Sequence, residues 1–146
     1  MIDIMEYVRA DSKALIDKYP WLCPERNEDG SIASTYDYSY TELDFVPNGW
    51  RNIAMDLCEE IRSILKPLGL LDKYMLSEVK EKWSMLGWYD YMVDLTPIPK
   101  DIDEAVHRAE ERSKFVCFIC GAPKEPTQEV CNECAYKLGW TNTSNM

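Results

Sequence analysis

The strongest hydrophobic repeat in the chain lies between residues 48 and 65 and has helical spacing. Charged and polar residues fill the opposite side, so the pattern predicts an amphipathic helix with its apolar face in the core. Asn48 is placed to cap the start of this helix, and Pro67 and Gly69 are placed to end it near Leu65. The apolar positions are Trp50, Ile53, Leu57, Ile61 and Ile64, with Ala54 and Cys58 beside them.

Two further helices are predicted, one before and one after this central helix. The first runs from residue 3 to about residue 18, because Asp3 and Glu6 have the spacing of a capping box and Tyr19 precedes a proline. The other begins at Asp101 and leads directly into the first cysteine of the chain's C-terminal part. Its predicted buried stripe is Ile102, Ala105, Val106 and Ala109.

Residues 73–93 fit both a helical and an extended pattern. A helical spacing of apolar residues competes there with the strand-forming composition of the second half of the stretch. We favour a β-hairpin with strands near residues 73–81 and 86–93. Its turn is expected near Trp83 and Ser84, although no Asn-Gly pair marks that turn.

Tyrosines alternate with other residues within residues 32–46, which predicts an extended or strand-like segment. Two interpretations stay open for these side chains. They either pack on the domain, as most aromatic stripes do, or form an acidic, tyrosine-rich surface for a partner. The candidate contact residues are Asp37, Tyr38, Tyr40, Glu42 and Asp44.

Two cysteine pairs supply the strongest chemical signal in the chain: Cys117 with Cys120, and Cys131 with Cys134. Each C-x-x-C pair brings two thiolates to one metal ion, and two pairs complete a closed four-sulfur shell. Gly121 suits the tight turn after the first pair, because that turn needs a residue that tolerates positive φ. The sequence predicts one structural Zn²⁺. A redox pair, a rubredoxin-like iron site and two disulfides are the weaker alternatives.

The predicted fold class is α+β, with three main helices, a β-hairpin and a C-terminal treble-clef-like four-cysteine zinc finger. The treble clef is favoured because the second pair runs on into a segment that is able to start a helix. We expect residues 1–115 to form the core domain, with an acidic N-terminal third. Residues 116–140 form the finger, docked on the third helix with Trp140 as a docking residue, and residues 141–146 form a flexible tail.

The charge balance is acidic, with 16 basic and 26 acidic residues and a formal net charge of −10. This opposes general binding to a phosphate backbone, which needs clustered Lys and Arg. Residues 1–47 alone hold ten acidic and four basic residues, which suggests a surface for a basic protein partner. No membrane segment is expected. Buried, reduced Cys23 and Cys58 fit a cytoplasmic setting.

No catalytic signature is found in the sequence. His107 is the only histidine, and it lies on a charged face of the third predicted helix, where a solvated side chain is the simplest interpretation. The chain has no nucleophile elbow, no Walker loop, no Rossmann glycine pattern and no H-E-x-x-H motif. We therefore expect a protein that is not an enzyme.

Several ordered segments within residues 48–135 resemble a family of short phage- and prophage-encoded proteins without an assigned activity. The resemblance implies a mobile-element context, and hence the cytoplasm of a host cell. In that family the V-K-E-K segment leads into a second strand, which supports the hairpin, although Ser84 stands here where the family has glycine. The matching segments are Gly49-Trp50, Leu57-Cys58-Glu59, Val79-Lys80-Glu81-Lys82-Trp83, Ala109-Glu110-Glu111-Arg112-Ser113, Cys117-x-x-Cys120-Gly121-Ala122-Pro123 and Cys131-x-x-Cys134.

The leading hypothesis is a non-enzymatic zinc-binding protein of phage origin that binds a macromolecular partner. A host defence nuclease is the candidate partner, which would make the protein an anti-CRISPR or anti-restriction inhibitor. The alternative is a zinc-finger nucleic-acid-binding or transcriptional regulatory protein, and a hydrolase would need a second, catalytic metal. The sequence leaves the oligomeric state open. The basic residues available to the alternative are Lys73, Lys80, Lys82 and Lys124.

Overall fold

The structure is a computed structural model that describes residues 3–140 of the 146-residue chain. The fold of these residues is α+β, as predicted, and the predicted tail at residues 141–146 lies outside them. The elements in chain order are α1 (Ile4–Lys18), α2 (Arg51–Leu68), β1 (Tyr74–Lys82), β2 (Met85–Met92), α3 (Lys100–Ser113) and α4 (Asn132–Leu138), with 3-10 turns at Pro20–Leu22, Glu42–Phe45 and Asn48–Trp50.

The core forms where α2, α3 and the hairpin meet. The predicted apolar stripe of α2 is buried except at Ile64, which is half-buried. Helix α3 buries its own predicted stripe of Ile102, Ala105, Val106 and Ala109 against α2. Two exposed ion pairs, Arg108 with Glu60 and Arg112 with Asp56, join the two helices at the rim. Exposed pairs of this kind contribute little free energy, so the contact between α2 and α3 rests mainly on burial of apolar surface.

The predicted bounds of the central helix are wrong at both ends. Asn48 begins a separate 3-10 turn, and Trp50 is the N-cap residue of α2 without a side-chain hydrogen bond. The helix continues through Pro67, because a proline in the last turn removes a single backbone hydrogen bond. It ends at Gly69, whose φ of +68° allows the N–H groups of Gly69 and Leu70 to close the last turn.

The predicted hairpin is confirmed, and its strands pair in antiparallel register from Tyr74 opposite Met92 to Lys82 opposite Met85. The turn consists of Trp83 and Ser84, with φ values of +53° and +61°. Two consecutive positive φ values define the turn that matches the twist of adjoining strands, so the missing glycine does not prevent it. A register shift between Leu76 and Glu78 leaves one extra residue in β1.

The strand predicted within residues 32–46 is wrong. This segment contains bends, the 3-10 turn Glu42–Phe45 and a positive φ of +62° at Tyr38. Its side chains bond to its own backbone: the Asp37 carboxylate accepts from the Ser39 N–H, and the Tyr36 hydroxyl donates to the Tyr40 carbonyl oxygen. Local bonds of this kind compete with a strand ladder, which explains why the alternating pattern misled the prediction.

Both cysteines outside the C-terminal pairs are buried, as predicted. The Cys58 sulfur accepts a hydrogen bond from the Trp21 indole at 3.4 Å, and burial raises the pKa of its thiol to about 12. Cys23 donates to the Glu25 carbonyl oxygen, and burial raises its pKa as well. No helix within residues 3–140 is long and apolar enough to cross a membrane.

Candidate metal centre and the β1 groove

The four cysteines of the C-terminal pairs converge on one point. Their sulfur atoms all lie within 4.8 Å of one another, and within residues 3–140 this is the one group of metal-binding side chains that close together. Cys117, Cys131 and Cys134 are buried, whereas Cys120 is exposed. The predicted ligand set is therefore assembled as a metal site. Four thiolates in a compact cluster are the donor set typical of a structural, tetrahedral zinc ion.

The first pair lies on a tight knuckle closed by backbone hydrogen bonds. The Cys117 N–H donates to the Ala122 carbonyl oxygen at 2.8 Å, and the Gly121 N–H donates to the Cys117 carbonyl oxygen at 2.9 Å. Gly121 has a φ of +82°, which confirms why a glycine is needed there. The Ala122 N–H donates to the Cys120 sulfur at 3.4 Å, which acts to lower the pKa of Cys120, but burial and the neighbouring sulfurs raise that pKa overall.

The second pair lies at the start of a helix, which agrees with the treble-clef-like arrangement. Cys131 is the N-cap residue of α4, and its sulfur accepts from the Cys134 N–H at 3.4 Å. The helix ends at Gly139 in the left-handed conformation. One pair on a knuckle and one on a helix start therefore face each other across the site.

The thiol pKa values show why the cluster needs a cation. Burial acts to raise the pKa of Cys117, but hydrogen bonds from backbone N–H groups outweigh it and lower the pKa to about 7. Burial, together with the neighbouring sulfurs, raises the pKa of Cys134 to about 12. One thiolate therefore forms readily near neutral pH, whereas further thiolates beside it repel one another. A divalent metal ion held by the four cysteines would offset that repulsion and favour loss of the remaining thiol protons.

The metal lobe, residues 115–140, docks on the start of α2 through Gly49 and Trp50. The Gly49 N–H donates to the Phe118 carbonyl oxygen at 2.8 Å, and the Trp50 indole donates to the Val116 carbonyl oxygen at 2.8 Å. A Cβ atom on Gly49 would lie 2.0 Å from the Cys117 carbonyl oxygen, so only glycine fits. The docking residue expected from the sequence, Trp140, is instead 48% exposed.

Sequence reasoning missed the role of Gly49. The only available signal was the Gly-Trp pair itself, since a glycine beside a buried tryptophan is consistent with a close approach of two backbones. No sequence pattern indicates which distant segment approaches Gly49. The structure identifies that segment as the cysteine knuckle.

The five candidate contact residues are divided between surface and interior. Asp37 and Asp44 are exposed, and Tyr38 and Tyr40 are half-buried. Asp44 also accepts from the Thr41 N–H at 2.8 Å, which closes a capping box around the 3-10 turn. Glu42 is only 9% exposed. The tyrosines thus partly pack on the domain, while the acidic side chains define an outer rim.

A groove of about 490 Å³ lies between strand β1 and the part of the chain that contains Tyr40, Glu42 and Phe45, and we call it the β1 groove. Burial raises the pKa of the Glu42 carboxyl in it to about 7. Within residues 3–140 this carboxylate has no hydrogen-bond or ion-pair partner. The lining residues are Pro24, Tyr40, Glu42 and Phe45 on one wall and Ser77, Glu78, Val79 and Lys80 on the other.

Three of the four basic residues named for nucleic-acid binding have other side-chain contacts. The Lys124 amine is buried and donates to the Lys114 carbonyl oxygen at 2.6 Å, and burial lowers its pKa. Lys80 pairs with Glu78 at 3.3 Å, and Lys80 and Lys82 both lie over the Tyr89 ring. Lys73 is exposed, as is His107 on α3.

Comparison with known proteins gives no relative for this chain: no family model, no curated protein and no solved structure matches it. The resemblance to phage-encoded proteins therefore stays a prediction from the sequence.

Proposed function

We propose that this protein is a non-enzymatic zinc-binding protein that acts by binding a protein partner with a basic surface. The observation that carries the proposal is Glu42, a residue only 9% exposed, whose carboxylate lines the β1 groove and has no partner in the described chain. A buried charge without a partner costs free energy in the isolated protein. A basic side chain from a bound protein would offset that cost, because charged pairs are stabilised once both groups are desolvated together.

Zinc has a structural role in this proposal. Four cysteines fill a tetrahedral shell and leave no open position for a substrate, so the ion would stabilise the metal lobe and its docking on Gly49. One Zn²⁺ per chain is expected. The metal and the partner surface are then separate features, the first supporting the fold and the second binding the partner.

The proposed partner is a nucleic-acid-binding protein of a host defence system, such as a CRISPR or restriction nuclease. Two observations support this class. The net charge of −10 complements a surface that normally holds nucleic acid, and the motifs within residues 48–135 resemble phage-encoded proteins. Occupation of a nuclease's basic surface would inhibit it without any chemistry by the inhibitor.

The test is a capture experiment with purified, tagged protein and host lysate, with metal content measured on the same sample. We expect one zinc per chain and stoichiometric capture of a basic protein by the wild type. Capture should be lost in Glu42→Gln and kept in Glu28→Gln, which makes the same charge change at an exposed position outside the groove. Equal capture by both variants would refute the proposed surface. More than one metal per chain and no partner would indicate an enzyme instead.

One observation favours the alternative, a nucleic-acid-binding protein. Trp83 at the tip of the hairpin is 90% exposed, and Lys80 and Lys82 lie nearby over the Tyr89 ring. Exposed aromatic and basic side chains together form the usual stacking platform for single strands. Retention of single-stranded DNA or RNA in a filter-binding assay at low salt, lost in Trp83→Ala, would establish this alternative. An absence of retention would remove it.

A further inference from the structure

The two outer edges of the hairpin differ in how their backbone N–H and C=O groups find hydrogen-bond partners. On the β2 side, the Leu86 N–H donates to the Ser113 hydroxyl at 2.8 Å, and the Trp88 N–H donates to the Glu110 carboxylate at 3.2 Å. Both acceptors belong to α3. The donors therefore point away from β1, and α3 closes that edge with side chains.

The register then fixes the direction of the backbone groups on β1. Leu86 is opposite Glu81, and Trp88 is opposite Val79. In an antiparallel pair, residues directly opposite each other either bond across the ladder or both point outward. Glu81 and Val79 therefore direct their N–H and C=O groups away from β2. Within residues 3–140, neither N–H has a hydrogen-bond acceptor.

The β1 groove runs along this open edge. Glu78, Val79 and Lys80, which follow the register shift at Ser77, all line it, although the side chains of a regular strand alternate between its two faces. A groove over one face of the strand would contact every second side chain. Contact with consecutive residues therefore indicates that the groove runs along the edge of the strand. The edge from Ser77 to Glu81 is about 15 Å long at the usual rise per residue, which limits an occupant to a few extended residues.

The charges around the groove indicate what such a segment carries. Glu42 faces the groove without a partner, whereas Glu78 is already paired with Lys80 at 3.3 Å. Glu25 lies close by and accepts from the Tyr40 hydroxyl at 3.1 Å. A lysine or arginine side chain is the group that complements Glu42 at this place.

We propose that the β1 edge binds a short extended peptide segment of a protein partner as an added strand, with one of its basic side chains paired to Glu42. This rests on the proposed function and specifies its partner. The open N–H and C=O groups of Val79 and Glu81 would make main-chain hydrogen bonds with the peptide. The residues that line the groove would determine which peptide side chains are accepted.

The test uses a displayed library of random heptapeptides selected against the full-length, zinc-loaded protein. Glu81→Pro removes the outward N–H at an edge position where proline is tolerated, and Glu81→Ala is its matched control. Both variants lose the hydrogen bond between the Ser84 N–H and the Glu81 carboxylate. The difference between them that the test uses is the backbone N–H at position 81, which proline lacks. Circular dichroism and zinc content confirm that each variant is folded.

We expect selected peptides to share one Lys or Arg position and to bind Glu81→Pro about tenfold more weakly than Glu81→Ala. Glu42→Gln should bind the same peptides about tenfold more weakly than the wild type. No enrichment, enrichment without a basic residue, or equal binding by the proline and alanine variants would overturn the proposal. A concentration-dependent dimer lost in Glu81→Pro would overturn it too, since a second copy would then occupy the edge.

The same variants separate this inference from the proposed function. If Glu42→Gln loses capture of a basic protein and Glu81→Pro keeps it, the proposed function is supported and binding by strand addition is refuted. Capture that Glu42→Gln leaves unchanged would remove both.

Discussion

The metal lobe, residues 115–140, and the tyrosine segment, residues 32–46, both have little regular structure, but they are ordered by different means. In the lobe, four sulfur atoms within 4.8 Å and a backbone contact with Gly49 determine the path of the chain. In the segment, burial of Tyr36, Leu43 and Val46 in the main core does so. Single hydrogen bonds between the Tyr36, Asp37 and Asp44 side chains and the segment's own backbone add to it. Order in the lobe therefore depends on assembly of one cluster, whereas order in the segment depends on packing against the main core, with small local hydrogen bonds added.

The largest expected effect is loss of a metal ligand. Cys134→Ser should abolish metal binding and unfold the lobe, because zinc binding is worth on the order of 10 kcal/mol in small fingers. Zinc content and thermal unfolding measure this directly. Cys23→Ser, at a buried cysteine outside the cluster, is the control and should keep one zinc per chain. Unchanged thermal stability of Cys134→Ser would contradict the structural role of the metal.

Next in size is Gly49→Ala, which tests the docking of the lobe on α2. A Cβ atom there would lie 2.0 Å from the Cys117 carbonyl oxygen, so we expect a loss of about 3 kcal/mol or more in the free energy of unfolding. Gly69→Ala is the matched control, because Gly69 has a φ of +68° and no atom near the added Cβ. It should cost only about 1 kcal/mol. Equal losses would mean that the contact with Cys117 does not hold the lobe.

A smaller, pH-dependent effect is expected for Glu42→Gln. Burial raises the pKa of Glu42 in the folded protein to about 7, above its unfolded value of roughly 4.3. The stabilising contribution of the protonated carboxyl is complete below about pH 4 and is lost as the pH rises through 7.

Glutamine undergoes no such loss, so Glu42→Gln should be more stable than the wild type at pH 8, by about 1 to 3 kcal/mol, and equal to it at pH 4. Denaturant unfolding at the two pH values measures this. Glu78→Gln is the control on the opposite wall of the groove, where the carboxylate is exposed and paired with Lys80. A pH-independent difference between Glu42→Gln and the wild type would show that Glu42 is not buried as described.

The smallest effect is expected for Tyr36→Phe in the tyrosine segment. The change removes the hydrogen bond to the Tyr40 carbonyl oxygen and keeps the ring contacts with Tyr38 and Tyr40, so we expect a loss of about 1 kcal/mol. Tyr7→Phe, on the exposed face of α1, should change nothing. A loss as large as that of Gly49→Ala would mean that the segment, like the lobe, is ordered cooperatively.

The same comparison explains which parts of the structure could be predicted from the sequence. The C-x-x-C spacing limits the distance between the two sulfur atoms of each pair. The ligand set could therefore be predicted from the four cysteines and Gly121. Apolar periodicity likewise identified the buried faces of α2 and α3. The register of β1 and β2 followed from a two-residue turn, even though Trp83 and Ser84 adopt φ values that are unusual for them.

The path of residues 32–46 could not be predicted, because alternation of tyrosines is compatible with both a strand and a chain folded on itself. Two local hydrogen bonds, from the Tyr36 hydroxyl to the Tyr40 carbonyl oxygen and from the Ser39 N–H to the Asp37 carboxylate, favour the folded path, together with a positive φ at Tyr38. The partner of Gly49 could not be predicted either. That contact depends on the packing of two distant segments, which no local pattern encodes.

The contact between the knuckle and the start of α2 also bears on how long the protein survives in a cell. Trp50 and Val116 are 66 positions apart in sequence, and the hydrogen bond between them forms only when the lobe is in place. We expect a chain starved of zinc to release both regions together and to become a substrate for proteases, which cleave transiently opened states. The lifetime of the protein would then follow the zinc supply of the cell, so that zinc scarcity would lower the amount of the protein.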